Sequence, residues 1–224
     1  MENFYENIKV LVPLRGGSKG IKNKNLKNFL KKPLFSWVIN AALEINLKVY
    51  VSTEDKKIKK EVKNIFPKVN IQDRPESLAS DNSSTEDVIG FFIDNYQCDH
   101  IILLQATSPL TRSLDIASAI NLYFKNKCKP LISGTRQHNF IWDDNGKAIN
   151  YNPSQRPRRQ DWKGTFVENG AIYIFKAKDF LEFKTRCKEP CTLFEMNLLS
   201  SIELDNEKDW KLLEFLAKNE GYFN

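Results

Sequence analysis

The sequence predicts a single α/β domain built on a doubly wound, mostly parallel β-sheet. Short apolar runs alternate along the chain with longer amphipathic segments, which is the pattern of strands joined by crossover helices. The strongest run, residues 100–105, is continuously apolar at its centre, as expected for a strand buried on both faces. The length of 224 residues and the hydrophobic fraction of 41% suit one sizeable domain and exclude a disordered chain.

The first half of the chain is predicted to alternate strands and helices regularly. Each strand is a short apolar run, and each helix has apolar residues three or four positions apart. Predicted strands cover residues 8–14, 49–52, 69–72 and 100–105, and predicted helices cover 33–45, 55–66 and the segment that follows residue 83. Helix 55–66 should turn Ile58, Val62 and Ile65 inward. Ser83 and Glu86 have the spacing of a capping box that would begin the next helix.

The second half continues the alternation but contains one interruption. Its predicted helices lie at residues 114–127, 177–185 and 208–218, and its predicted strands at 130–133, 170–175 and 200–204. Residues 136–167 are polar, aromatic and rich in turns, and Asp144-Asn145-Gly146 is typical of a hairpin turn. Such a stretch cannot fill a parallel sheet, so we predict an arm at 136–167 inserted into the single domain formed by residues 1–224.

Composition and charge narrow the classes of function. The net charge of +6 comes mostly from scattered basic residues, which disfavours nucleic-acid binding and favours an anionic small molecule. No segment approaches the ~18 apolar residues of a membrane span, and the polar residues 1–7 are unlike a signal peptide. The four cysteines lack the spacing of a disulfide framework, which favours a cytoplasmic location.

Four polar segments follow predicted strands and are candidates for one binding site. In doubly wound sheets, ligands bind beyond the carboxyl ends of the strands. That rule selects residues 15–24, 74–85, 105–112 and 203–205. Because these segments contain most of the unusual polar residues of the chain, we expect them to meet.

The first of these segments combines glycines with positive charge. Three glycines between residues 16 and 20 let the backbone turn tightly and direct amide groups at an anion, and Arg15, Lys19 and Lys24 add cations beside them. The G-x-G-x-x-G pattern of dinucleotide-binding folds and the P-loop pattern G-x-x-x-x-G-K-[ST] are both missing. The segment therefore predicts a nucleoside triphosphate site outside those two classes, with an ordinary glycine turn and solvated lysines as the alternative.

Glu203 and Asp205 form a candidate metal site. Alternation along a strand would place both carboxylates on one side and Leu204 on the other. Two carboxylates near bound phosphates suit Mg²⁺, which takes few protein oxygens and completes its shell with phosphate and water. A solvent-facing edge strand is the alternative, and the spacing alone favours it.

Two further segments offer polar contacts to a ligand. Residues 105–109, Gln-Ala-Thr-Ser-Pro, could bond a polyhydroxylated ligand through their amide and hydroxyls, with a plain strand-end turn as the alternative. Residues 156–162 contain three arginines, Gln160 and Trp162, a set that could clamp a carboxylate and stack on a sugar or form a basic surface loop. With only two histidines in the chain, no Ser–His–Asp or Cys–His nucleophile arrangement is readable.

Together these motifs resemble the CMP-sialic acid synthetases, also called acylneuraminate cytidylyltransferases. The similarity runs from residue 8 to the last helix. It is carried by Arg15-Gly-Gly-Ser-Lys-Gly20 with Lys24-Asn25; by Leu103-Leu-Gln-Ala-Thr-Ser-Pro109; by Arg156-Pro-Arg-Arg-Gln-Asp-Trp162 with Glu168-Asn-Gly-Ala-Ile-Tyr173; and by Ser201-Ile-Glu-Leu-Asp205. The third block is the most discriminating.

The resemblance implies a Rossmann-like nucleotidyltransferase fold and a homodimer in which the arm reaches the partner's active site. It implies nucleotide contacts from Leu14, Arg15, Gly16, Gly17, Ser18, Lys19, Lys24, Asn25, Arg74 and Thr85. It implies contacts to an acidic 2-keto sugar from Gln105, Thr107, Ser108, Arg158, Arg159, Gln160, Asn169 and Tyr173. The implied metal is Mg²⁺, or Mn²⁺ in its place, on Glu203 and Asp205, and the implied catalytic residues are Arg15, Lys19, Lys24 and Asp205.

The implied reaction is in-line attack of a sugar hydroxyl on the α-phosphate of CTP. Two positions depart from the family's pattern: Glu203 stands where an aspartate is usual, and Val167 stands where many bacterial members have a basic residue. The carboxylate clamp would therefore depend on Arg158 or Arg159. The alternatives are the same chemistry on legionaminic, pseudaminic or 3-deoxy-octulosonic acid, nucleotide transfer to a sugar phosphate, and a non-catalytic nucleotide-binding protein.

Overall fold

The computed structural model describes residues 7–18, 20–80 and 82–219. The strands are β1 Ile8–Pro13, β2 Asn28–Phe29, β3 Lys32–Pro33, β4 Val49–Thr53, β5 Asn70–Asp73, β6 His100–Leu104, β7 Leu131–Gln137, β8 Thr165–Lys176 and β9 Thr192–Glu195. The helices are α1 Phe35–Leu43, α2 Lys56–Ile65, α3 Thr85–Asn95, α4 Ser113–Lys125, α5 Ala177–Phe183 and α6 Glu207–Asn219. None of the described helices is long and apolar enough to cross a membrane.

The main sheet has seven strands in the order β5-β4-β1-β6-β8-β7-β9. Neighbouring strands from β5 to β6 pair in parallel, β8 runs antiparallel to both β6 and β7, and β9 returns parallel to β7. Only β8 is reversed, so the predicted mostly parallel α/β sheet is confirmed. The reversal follows from the connection, because β7 and β8 are joined as the two sides of the arm rather than by a crossover helix.

Side chains alternate between two cores, one on each face of the sheet. In β1, Val10 and Val12 enter the larger core while Leu11 enters the other, and all three are fully buried. Burial on both faces explains why β1 and β6 are continuous apolar runs. A third core packs the β2–β3 hairpin against α6, where the rings of Phe29 and Trp210 lie 5.9 Å apart.

Two local predictions are wrong. Ile65 is 39% exposed, because α2 buries only Ile58 and Val62. The capping box is formed by Ser84 and Asp87 instead of Ser83 and Glu86. Ser83 is one residue too early, and its hydroxyl donates to the Ser77 carbonyl within the preceding loop.

The predicted strand at residues 200–204 is also wrong. The chain makes a 3₁₀ turn at Leu199–Ser201 and then continues as irregular backbone. The place at the sheet edge is taken by β9, which pairs with β7 from Leu131↔Thr192 to Gly134↔Glu195. Leu204 is nevertheless fully buried, with Glu203 and Asp205 exposed beside it, so the predicted alternation holds without a strand.

The predicted arm is shorter than residues 136–167 because both of its ends belong to the sheet. Arg136 pairs with Phe166 and Gln137 with Thr165, which leaves residues 138–164 as the excursion. Its tip is the expected turn: the Gly146 amide donates to the Asp143 carbonyl at 3.0 Å, and Gly146 has φ +75°.

Candidate active site

A cavity of about 490 Å³ opens at the carboxyl edge of the parallel strands. Each of the four segments selected from the sequence contributes to its lining, including Lys24, Arg74, Gln105 and Asp205. These residues follow β1, β5 and β6 or precede α6, so strand direction alone brings three of the segments to one edge. The fourth is attached by a backbone hydrogen bond of 2.9 Å from the Leu204 amide to the Thr107 carbonyl.

The basic glycine loop and the acidic segment meet directly. The ammonium of Lys24 donates to the Leu204 carbonyl at 3.1 Å and lies 3.5 Å from the carboxylate of Asp205. Gly20 lies so close that a Cβ placed on it would be 2.4 Å from the Asp205 carbonyl oxygen. The buried amide of Asn25 donates to the Arg15 carbonyl at 2.9 Å and holds the two ends of the loop together. Lys19, predicted to hold phosphate, lies outside the described residues.

The glycines of this loop differ in whether the structure leaves room for a side chain at their positions. A Cβ on Gly16 would lie 2.4 Å from the carboxylate of Asp55, whereas one on Gly17 would meet nothing within 4 Å. The Gly16 amide donates to the Glu54 carboxylate at 2.6 Å, so it is directed at the protein and not at an anion in the cavity. Close approach to neighbouring backbone and side chains is therefore the main reason for Gly16 and Gly20.

The acidic side of the site consists of two neighbouring carboxylates. The Asp205 side chain is 68% exposed, and the Glu203 carboxylate lies against Gly170, where a Cβ would come within 1.9 Å of it. Burial and the negative charges of Asp205 and Glu168 raise the pKa of Glu203 above its usual range, and Lys24 opposes them. The described residues include no group of three or more His, Cys, Asp or Glu side chains arranged to hold a metal. Any metal at this pair would need further ligands from a substrate or from water.

The residues predicted to contact a sugar are only partly brought together. Gln105 and Thr107 line the cavity. Ser108 is buried behind the strand end. The three arm residues Arg158, Arg159 and Gln160 are exposed and do not line the cavity of their own chain.

Asn169 and Tyr173 of β8 are buried and engaged with the protein. The Asn169 amide accepts from the Ser133 hydroxyl at 2.6 Å and donates to the Ser201 hydroxyl at 3.0 Å. These bonds tie β8 to β7 and to the turn that precedes the acidic segment. The Tyr173 hydroxyl donates to Glu168. Burial and, to a smaller extent, this hydrogen bond raise the pKa of Tyr173 above its ordinary value. Their contacts with a sugar stay a prediction.

The sequence did not predict two sets of polar contacts around the site. Glu54 accepts from Arg74 at 2.6 Å as well as from the glycine loop. The Arg186 guanidinium lies over the ring of Tyr173, 4.5 Å from its centroid, and pairs with Glu86 of α3. Both pairs join residues far apart in sequence, so spacing does not reveal them. The only feature of the sequence that marked Glu54 as a site residue was its place directly after a buried strand.

A mostly parallel sheet with a basic glycine loop facing two carboxylates at its carboxyl edge defines an α/β protein with a site suited to a phosphate-bearing ligand. Residues 9–223 match the family model described as Cytidylyltransferase, and the chain belongs to this family. The match extends over nearly all of the described residues, so the fold and the cavity both lie inside it.

Individual relatives agree with this assignment. The chain is 36% identical to the N-acylneuraminate cytidylyltransferase A of Danio rerio over 97% of its own length and 52% of that protein. It therefore spans about half the length of that relative. It is 27% identical to the pseudaminic acid cytidylyltransferase of Campylobacter jejuni over 95% of its length and 98% of that protein. The solved structure of CMP:2-keto-3-deoxy-manno-octonic acid synthetase complexed with CTP shares the fold, with a TM-score of 0.70 at 16% identity, over 96% of this chain and 100% of that one.

Proposed function

We propose that the protein transfers CMP from CTP to an acidic nine-carbon 2-keto sugar of the N-acylneuraminate type and releases pyrophosphate. The observation that carries this proposal is the meeting of Lys24 with Asp205 at a cavity that Gln105 also lines. Cations suited to a triphosphate, a carboxylate suited to a divalent ion and an amide suited to a sugar thus line one cavity, which supports the proposal. The family and the Danio rerio relative support the same chemistry.

In the proposed reaction, the anomeric hydroxyl oxygen forms a bond to the α-phosphorus of CTP. The bond from that phosphorus to the bridging oxygen of the β-phosphate breaks, pyrophosphate leaves, and the hydroxyl proton passes to water. Arg15 and Lys24 line the cavity and would neutralise charge on the phosphates, and Gln105 would orient the sugar. Catalysis by such groups comes from positioning and electrostatic stabilisation and needs no covalent intermediate.

We propose Mg²⁺, replaceable by Mn²⁺, as the cofactor, with Glu203 and Asp205 as its protein ligands. The carboxylate pair fits such an ion, because burial and then the negative charges of Asp205 and Glu168 raise the pKa of Glu203, and Lys24 only partly offsets these effects. Gly170 leaves room for the longer glutamate side chain where a Cβ would collide with its carboxylate. When bound, the ion supplies positive charge that stabilises the phosphate oxygens during transfer.

The test of the proposed function is a substrate panel scored by pyrophosphate release. We expect turnover with CTP and N-acetylneuraminic acid, and much slower turnover with legionaminic, pseudaminic or 3-deoxy-octulosonic acid. The pseudaminic acid cytidylyltransferase of Campylobacter jejuni makes pseudaminic acid the first alternative. Faster turnover with one of these acids would reassign the sugar and keep the chemistry. CTP binding without pyrophosphate release from any acid or sugar phosphate would contradict the proposed function.

We propose a homodimer in which the arm of one chain, residues 138–164, completes the site of its partner. Three apolar side chains of the arm are solvent-exposed in the single chain, with Ile141 at 38%, Trp142 at 50% and Ile149 at 62%. Arg159 is exposed and outside the cavity of its own chain, where it cannot clamp a sugar carboxylate. Contact with a second copy would bury the apolar residues and bring this arginine to a carboxylate.

A mixed dimer tests this arrangement. We expect Arg159→Ala to lower the specificity constant for the sugar about 10- to 100-fold, because it removes charge-assisted hydrogen bonds to the carboxylate. Co-refolding it with the weakly active Asp205→Asn chains should restore activity, since one site of each mixed dimer then has an intact arm and an intact Asp205. Each variant refolded alone is the control. Absence of restoration in a proven mixed dimer would place Arg159 in the site of its own chain.

We also propose a cytoplasmic location. All four cysteines lie within the described residues and are free thiols. Thiols that stay unpaired are typical of a reducing compartment.

A further inference from the structure

A buried ion pair lies directly behind the glycine loop and joins Arg74, a predicted nucleotide contact, to Glu54, which was not among the predicted site residues. Glu54 follows β4 and Arg74 follows β5, so two neighbouring parallel strands present them at the same edge of the sheet. The Arg74 guanidinium donates to Oε2 of Glu54 at 2.6 Å, and the two side chains are only 3% and 14% exposed.

The second carboxylate oxygen of Glu54 holds the glycine loop. Oε1 accepts the Gly16 amide at 2.6 Å, so a single carboxylate joins the loop to Arg74. Burial works against the charged form of Glu54, but the bonds from Arg74 and Gly16 outweigh it and lower the pKa of this carboxyl. Asp55, the next residue, closely flanks Gly16 and leaves no room for a side chain there. The segment after β4 therefore fixes the start of the loop.

The bond to Glu54 also determines which hydrogen-bond donors of Arg74 face the cavity. Arg74 lines the cavity wall, and its Nε is buried without a hydrogen-bond partner among the described residues. Because Glu54 offsets its charge, Arg74 is suited to donate directed hydrogen bonds more than to attract phosphate by charge. The direction of those donors depends on the carboxylate that holds the guanidinium.

We infer that Glu54 is a positioning residue for the nucleotide, acting at once through the Gly16 amide and the Arg74 guanidinium. Glu54 fixes the position of the glycine loop, which faces the phosphates, relative to the Arg74 side chain, which faces the rest of the nucleotide. Glu54 itself touches no substrate. This inference deepens the proposed function and rests on CTP being the nucleotide.

The test compares Glu54→Gln with Asp73→Asn. Glutamine can keep the bond from Gly16 but turns an amide donor towards Arg74, which leaves the buried guanidinium without its partner. Asp73 also ends a neighbouring strand and pairs with a lysine, but its side chain is 81% exposed, which makes it the matched control. We expect Glu54→Gln to weaken CTP binding, measured by calorimetry without sugar, at least about 10-fold, which is the lower end of the effect seen when residues that orient metal ligands are replaced. Asp73→Asn should stay within about twofold of wild type.

A kinetic signature separates positioning from general damage to the fold. A positioning role raises the KM for CTP and leaves the KM for the sugar unchanged, whereas partial unfolding lowers kcat and leaves both KM values unchanged. Should Glu54→Gln fail to fold, Glu54→Asp keeps the charge but is too short to reach both partners, and it should weaken CTP binding to an intermediate extent. Glu54 variants that bind CTP as tightly as wild type would overturn the inference. Because calorimetry needs no sugar, this result does not depend on the outcome of the substrate panel.

Discussion

Asp205→Asn is expected to lower the rate of pyrophosphate release about 100-fold, which corresponds to about 3 kcal/mol of lost transition-state stabilisation. The carboxylate of Asp205 faces the cavity beside Lys24 and Glu203, and the substitution removes its charge with almost no change in shape. The loss should appear in kcat at saturating CTP and sugar.

The fold should tolerate this substitution. The Asp205 side chain is 68% exposed and lies 3.5 Å from the less exposed Lys24, so we expect the loss of this long ion pair to cost about 1 kcal/mol or less of stability. Glu207→Gln is the matched control, because Glu207 also bonds a lysine, Lys27, but lies outside the cavity lining. Binding of Mn²⁺, followed by its EPR signal, gives a readout independent of turnover. Wild-type Mn²⁺ affinity together with wild-type turnover in Asp205→Asn would remove the metal role.

Among the strands that were predicted correctly, β1, β4 and β6 are buried on both faces. Val10 and Leu11 of β1 enter opposite cores, and a run of this kind is visible in sequence without knowledge of its neighbours. The strand β9 and the first half of β8 were missed because they have polar or exposed side chains; Leu193, for example, is 44% exposed. Their hydrogen bonds come from β7, so only the folded sheet defines them.

The meeting of three of the polar segments could be predicted because strand direction fixes it, whereas the segment at 203–205 is held by the bond from Leu204 to Thr107 and follows no strand. Glu203 and Asp205 were correctly predicted to lie on the side of the chain opposite Leu204, although the predicted strand does not form. The burial of Leu204 imposes this alternation. The contact between Glu54 and Gly16 could not be predicted in the same way. It depends on the relative heights of two loops across neighbouring strands, which spacing within either loop does not encode.

Gly20→Ala is expected to lower kcat/KM for CTP about 100-fold, because displacing a catalytic group by about 1 Å can cost that much. The new Cβ would lie 2.4 Å from the Asp205 carbonyl oxygen. That backbone cannot easily give way, since the Leu204 amide is bonded to Thr107 and the Asp205 amide to the carboxylate of Asp209. The glycine loop would have to move instead, away from the carboxylates.

Gly17→Ala supplies the matched control for this prediction. Both glycines are exposed and neither has a φ in the left-handed region, but a Cβ on Gly17 would meet nothing within 4 Å. The Gly17 variant should therefore retain kcat/KM within about twofold of wild type, as surface substitutions usually do. Equal losses in both variants would mean that loop flexibility, which any alanine reduces, matters more than the distance to Asp205. Wild-type activity in Gly20→Ala would show that catalysis does not require close contact between the basic loop and the acidic segment.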